Sequence, residues 1–336
     1  MMLETVLGLF TLTMVAVVAI ATIMASNLFV ASMWFGIFSL LMASNFFILD
    51  AADVALTEAA VGAGVSTVLF MGALALTAEK ETVVQRLSWL PIMALVALSL
   101  VLFVATFEQP LLGDPNAPVH QHVAPWYIEK TPELINIPNM VTAILASFRG
   151  YDTLGEVIVI LTAGIGVLSV LSFKPKNQRE ITGVQLSNKI RGVQHHAILR
   201  VVGKLIIPIL LLFGLLIQFH GKYTPGGGFS AGALFAAAIM LYGILSGADR
   251  SEAAMPTKAM LQLAVLGATL YTSVGIVCML LGGAFLDYNV LLPDPVTGQY
   301  WGILLVEFGV GLTVATVLVL IFNAFANRPT YQAHEG

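Results

Sequence analysis

Apolar runs of about 20 residues, separated by short polar breaks, recur along the whole chain. As helix, a run of that length crosses a hydrocarbon core of about 30 Å. The pattern predicts nine spans, at about 4–26, 28–49, 53–78, 88–107, 154–173, 198–219, 226–246, 258–281 and 301–324. The short alternating segments of a membrane β-barrel are not visible. The expected fold is all-α, a polytopic membrane protein. The first run is too long, and followed too directly by a second, to read as a cleaved signal peptide, so it is expected to stay.

Composition agrees and narrows the class. With 58% hydrophobic and only 10% charged residues, the chain does not suit a soluble globular domain. A single cysteine, Cys278, lies in an apolar run; it offers neither a disulfide framework nor a thiolate metal site and reads as a small core residue. Lys and Arg orient the chain. With the N-terminus outside and the C-terminus inside, the inner segments collect Lys80, Arg86, Lys174, Lys176, Arg179, Lys189, Arg191, Arg200, Arg250, Lys258 and Arg328. The outer segments then keep Lys130, Arg149 and Lys222, and Lys204 lies just inside the sixth span.

The polar breaks suggest an organisation. Residues 1–107 read as a four-helix membrane region, and 108–173 as an outer loop, a short interfacial helix near 139–148 and the fifth span. A basic inner connection at 174–197 precedes a four-helix domain at 198–336, with His195 and His196 expected at the inner interface. The outer loop is rich in proline and is expected to be an ordered cover packed by Trp126 and Tyr127. His120 and His122 in it form an H-x-H pair, which suits zinc only on a strand with further ligands nearby, and none stand out.

Carboxylates inside spans carry the candidate chemistry, because a charge at membrane depth is costly unless paired or hydrated. Asp50, Asp53 and Glu58 gather around the start of the third span. The two aspartates are expected in water at the outer interface, whereas Glu58 lies deeper, among small residues, as a candidate ion or proton station. Arg149, Asp152 and Glu156 share a helical face at the fifth span, either as an anchoring staple or with Glu156 as a second station. Glu307 stands among glycines about two turns into the last span, on the same side of the membrane as His220, and a pairing between the two is left open as a candidate.

Residues 220–232, HGKYTPGGGFSAG, follow neither helical nor loop habits. Pro225, Gly226, Gly227 and Gly228 suggest a shaped turn feeding a helix, and Gly228 and Gly232, four apart, leave a flat face for another helix. Together with VEFGVGLTV in the last span, this stretch resembles the B-type subunit of Mrp-type multisubunit Na+/H+ antiporters over about 190–325. LDAADVALTEAAVGAG and FRGYDTLGE resemble the C-terminal part of the A-type subunit of the same complexes, found also as small separate subunits of membrane-bound hydrogenases; the joint falls near 174–195. Two departures stand out: Lys222 where a second histidine often follows HG, and Glu307 where an aspartate is usual.

The resemblance implies a non-enzymatic transporter component in a bacterial or archaeal cell membrane. Its implied partners are large complex I-like antiporter subunits, the lipid bilayer, Na+ and H+. No lysine at mid-membrane depth and no inverted repeat suggest a complete pump, so the expected role is to line or complete an ion path. Haem, flavin, nucleotide and iron–sulfur signatures are missing, so no cofactor is expected, and nothing points to nucleic acid. Two alternatives remain open: a membrane-arm subunit of an energy-converting hydrogenase or formate-oxidising complex, and a purely structural assembly subunit.

Overall fold

A computed structural model describes residues 2–74, 80, 89–111, 113–171 and 197–326. The basic connection at 174–197, with all but its last residue, therefore lies outside the described residues, as do His195, His196, Arg86 and Arg328. The described part is helical and without strands; an isolated bridge joins Asn27 and Lys80. Among the described residues, nine helices are long and apolar enough to cross a membrane.

The first four are α1 (Met2–Met24), α2 (Leu28–Ile48), α3 (Ala52–Leu74) and α4 (Trp89–Phe107). Asn27 starts α2 by accepting from the Val30 amide at 3.1 Å, one of the orphan donors of a first turn. α3 widens to π-helical winding over Glu58–Val65, a local irregularity that often marks a functional stretch.

The proline-rich outer segment is more regular than its sequence suggests. After a helical turn at Val119–Val123, which holds the exposed His120 and His122, comes α5 (Ala124–Leu134). Pro125 sits in its first turn, where a missing N–H costs nothing, so proline here starts a helix instead of excluding one. Trp126 and Tyr127 pack on Phe148, with ring centroids 5.3 and 5.1 Å away. Phe148 ends a short helix, α6, that starts at Met140–Ala143 and continues through Ile144–Phe148.

The remaining helices are α7 (Gly150–Leu171), α8 (Ala197–His220), α9 (Gly228–Ser246), the short α10 (Ala248–Ala254), α11 (Thr257–Leu280) and α12 (Pro295–Ala326). α12 begins earlier than its apolar run, because Pro295 fits a first turn and Asp294 accepts from the Thr297 amide at 3.0 Å. It is the axis of the fold, packed by α11, α9 and α7. One core joins α7, α11 and α12 through Val157, Tyr271, Val274, Cys278, Ile303 and Val310, and a second joins α3, α9, α11 and α12 through Val65, Ala236, Met240, Ala264 and Leu320. Two buried tyrosines fasten the first core to α6 and α7: Tyr271 donates to the Gly150 carbonyl at 2.8 Å and Tyr288 to that of Ala146 at 2.9 Å.

Candidate functional site

The starts of α3, α7, α9 and α12 and the ends of α8 and α11 lie at one end of the bundle, here termed the Asn139 end. Asn139 is its organiser. Its Oδ1 caps α6 by accepting from the amides of Val141 and Thr142 at 2.9 and 3.2 Å. Its Nδ2 donates to Asp53 Oδ1 at 3.0 Å and to the carbonyls of Gly221 and Thr224 at 2.9 and 3.0 Å. The Asn139 amide donates to the Lys222 carbonyl at 2.9 Å, and Thr142 Oγ1 to Gly221 at 2.8 Å. Asp53 closes the frame by accepting from the Gly226 amide at 3.1 Å. The turn between α8 and α9 is thereby pinned from two sides.

Within the turn, each glycine meets a different demand. Gly227 has φ +110°, a region that side chains rarely tolerate. A Cβ on Gly228 would run into the Glu307 carbonyl oxygen, and one on Gly232 would stand 2.7 Å from that of Gly311. The flat face of α9 therefore meets α12 at the level of Glu307. Gly226 is crowded by the Ile217 carbonyl, and α9 itself begins at Gly228, two residues later than the apolar run.

Glu307 is buried among these backbones. Its Oε1 lies 3.2 Å from where a Cβ on Gly227 would stand, beside the N-terminus of α9, while Oε2 has no hydrogen-bond partner. A second orphan, Gln218 Nε2, is buried on α8, and the Gln218 side chain lies against Gly311, one turn beyond Glu307. Thr57 and Ser230 join α3 to α9 by their hydroxyls at 2.9 Å. Buried polar groups without partners are uncommon, so each calls for an explanation.

Lys222 completes the cluster. Only 1% exposed, its Nζ donates to the Tyr300 carbonyl at 2.7 Å and lies 3.1 Å from the centroid of the Tyr300 ring. Burial pushes this ammonium down to about 8, and Glu307 offsets part of that by favouring the charged form.

The other sequence candidates are dispersed. His220 ends α8 exposed, its ring 6.2 Å from that of Tyr223, and no described contact joins it to Glu307. With Pro225 it lines an apolar cleft of about 660 Å³ between α2, α3 and α8. Asp50 is exposed in the turn before α3, with φ +58°. Glu58 is half-buried and folds back over Gly62 towards Ser39 of α2. Arg149 pairs with Asp152, both well exposed, and Glu156 is exposed on α7 outside that pair. From the sequence Asp53 is expected in water and Lys222 among the outer charges; in the structure both are members of the cluster. Asn139 and Gln218 were missed, and an N-x-x-T start to a short helix was the one available signal for Asn139.

Fold and site together define a polytopic membrane protein with a buried, incompletely satisfied charge cluster at one end. Comparison with known proteins makes this particular. Residues 198–320 match the family model described as a domain related to the MnhB subunit of Na+/H+ antiporter. Residues 13–79 match the model of the D subunit of MBH, and residues 91–185 that of its E subunit. A Staphylococcus aureus protein described as antiporter subunit mnhB2 is 31% identical over 131 residues, which are 38% of this chain and 92% of that protein. An uncharacterized protein of Methanocaldococcus jannaschii is 29% identical over 181 residues, 50% of this chain and 66% of that one. In the structure of the Mrp complex from Dietzia, a chain is similar with a TM-score of 0.76 and 22% identity, over 97% of this chain and 35% of that chain. The membrane-bound sulfane sulfur reductase, an archaeal respiratory membrane complex, has a chain similar at a TM-score of 0.52 and 25% identity, over 70% of this chain and 98% of that one. The chain belongs to the MnhB family of Na+/H+ antiporter subunits, and it spans only about a third of the Mrp chain it resembles.

Proposed function

We propose that this protein is a non-redox membrane subunit of a multisubunit Na+/H+ antiporter in the cell membrane, where it completes an ion path beside large antiporter-like subunits. The observation that carries this is Glu307, a carboxylate buried among helix backbones with one oxygen unpartnered, in a chain of the MnhB family. Glu58 and Glu156 are the further stations, each on a span and neither in a described ion pair. Asp50, Asp152, Arg149 and His220 lie near the Asn139 end and shape the approach. By the distribution of Lys and Arg, that end faces outward.

The test is a gentle purification of the tagged chain from its native membrane, identification of what accompanies it, and antiport in liposomes. Antiporter-like subunits are expected, with antiport falling at least about tenfold in Glu307→Gln, as suits a charge needed at the reacting position. Full antiport in Glu307→Gln, Glu58→Gln and Glu156→Gln alike would overturn the reading. A second reading rests on the matches to the D and E components of MBH and to the sulfane sulfur reductase complex: a membrane-arm component of a redox-driven ion pump. Iron–sulfur or nickel proteins among the co-purified subunits would favour it.

A further inference from the structure

Lys222 is a buried charge that neither nearby carboxylate holds. Among the described residues no ion pair reaches its Nζ. A carbonyl and an aromatic face hold it instead, both from Tyr300. That is the way a bare cation is caged, and it leaves donor capacity on an ammonium with three N–H groups. Seven residues on, two turns away on the same face of α12, Glu307 has the complementary deficit, an oxygen with no donor. The two charges attract one another without touching. The Lys222 backbone is fixed by Asn139, so what remains free to move is the four-carbon stem.

We propose that Lys222 is a tethered cation that moves between the Tyr300 cage and Glu307 and competes there with the transported monovalent cation. This rests on the reading of Glu307 as an ion station. With the ammonium on Glu307 the site is closed to Na+; with the ammonium in the cage, as here, the carboxylate is open. The apparent affinity for Na+ is then lowered by the fraction of time the lysine spends on the carboxylate. The charged and titratable groups around the ammonium are Tyr300 and Glu307 from α12, Asp53 from α3 behind Gly226, and the exposed His220 and Tyr223 at its own turn.

The experiment uses the complex as isolated with its partner subunits, in liposomes, with half-saturating Na+ measured separately from maximal rate at about pH 7 and about pH 9.5, below and above the titration of a buried lysine. Lys222→Gln is expected to lower half-saturating Na+ about tenfold near pH 7, the effect of removing a competitor that occupies the site some nine-tenths of the time. The unsubstituted complex should approach that value near pH 9.5 as its lysine loses the proton. Lys222→Arg, which keeps its charge, should stay high at both. Equal half-saturation in Lys222→Gln and the unsubstituted complex near pH 7 would overturn the proposal, as would a Lys222→Arg complex that follows the unsubstituted pH dependence. If Lys222→Gln does not assemble, the comparison of arginine with lysine across pH decides alone. Full antiport in Glu307→Gln would remove the ion-station reading itself; an inactive Glu307→Gln with an unchanged Lys222→Gln would remove only the competition.

Discussion

α4 and α12 are about equally apolar, yet none of the central stretch of α4 is buried within the chain, against 72% of that of α12. Hydropathy places both in a membrane and says nothing about which one the fold is built around. Lipid tails are as apolar as leucine, so burial is no reward for apolarity there; close approach is decided by small residues. α4 (WLPIMALVALSLVLFVATF) has no glycine and shows its large side chains all round. α12 has Gly298, Gly302, Gly309 and Gly311, each with a neighbour where a Cβ would stand. It also carries the charge. The helix that the bundle encloses is the one that keeps a carboxylate away from lipid.

The sharpest way to break this comparison is to add bulk to the contact between α9 and α12. Gly228→Val has no room for its first carbon against the Glu307 carbonyl, so α9 must move away. The expected cost is about 4 kcal/mol or more, seen as a lost monodisperse peak in detergent. Leu98→Val on α4 is expected within about 0.5 kcal/mol by thermal melting, since an exposed surface gives up little. Similar costs at both sites would mean that α12 is no more central than α4.

Next in size is the buried lysine. Its value in the folded protein, about 8, is below the ordinary 10.5 because burial disfavours the ammonium. Between those two values the unfolded chain holds more protons, so stability should rise as pH rises from 8 towards 10.5. The rise is at most about 3 kcal/mol by linkage, and Lys222→Met should lack it. Melting temperature against pH for the two proteins checks this; parallel curves would deny the lysine its burial.

Asn139→Ala should cost about 2 kcal/mol, because a helix cap and the ties to the 221–227 turn go together. Hydrogen exchange should speed up in that turn and leave the α4 segment unchanged. A global increase, α4 included, would show that Asn139 supports the whole bundle instead of its own end.

How far the sequence reaches follows the same division. Nine spans were legible because a run of about 20 apolar residues has one main use in a membrane. The helix in the outer segment was not, because Pro125 and Pro132 read as loop formers; Pro125 falls in the first turn, where proline is favoured, whereas Pro132 is carried inside the helix near its end. Glu307 and the glycines were visible as costly choices within a span. Lys222 and Asp53 were not, since a charge a few residues from a span's end can stand in water or fold under a loop. Asn139, 83 residues before Lys222 along the chain, decides which.

The smallest expected coupling sits at an exposed ion pair at the start of α7. Arg149 and Asp152 touch, but their side chains are 60% and 44% exposed. Water shares both charges, so contact converts into little stability, about 0–1 kcal/mol. Arg149→Gln, Asp152→Asn and the double variant should melt within about 1 kcal/mol of one another, with a coupling below about 0.5 kcal/mol in the cycle. Lys222 and Glu307 make the opposite case: they do not touch, yet both are buried, so bulk water screens their attraction less. A coupling above about 2 kcal/mol between Arg149 and Asp152 would reverse that ordering. It would mean that a neighbouring protein of the complex covers this face of α7 and takes the pair, with the nearby exposed Glu156, out of water.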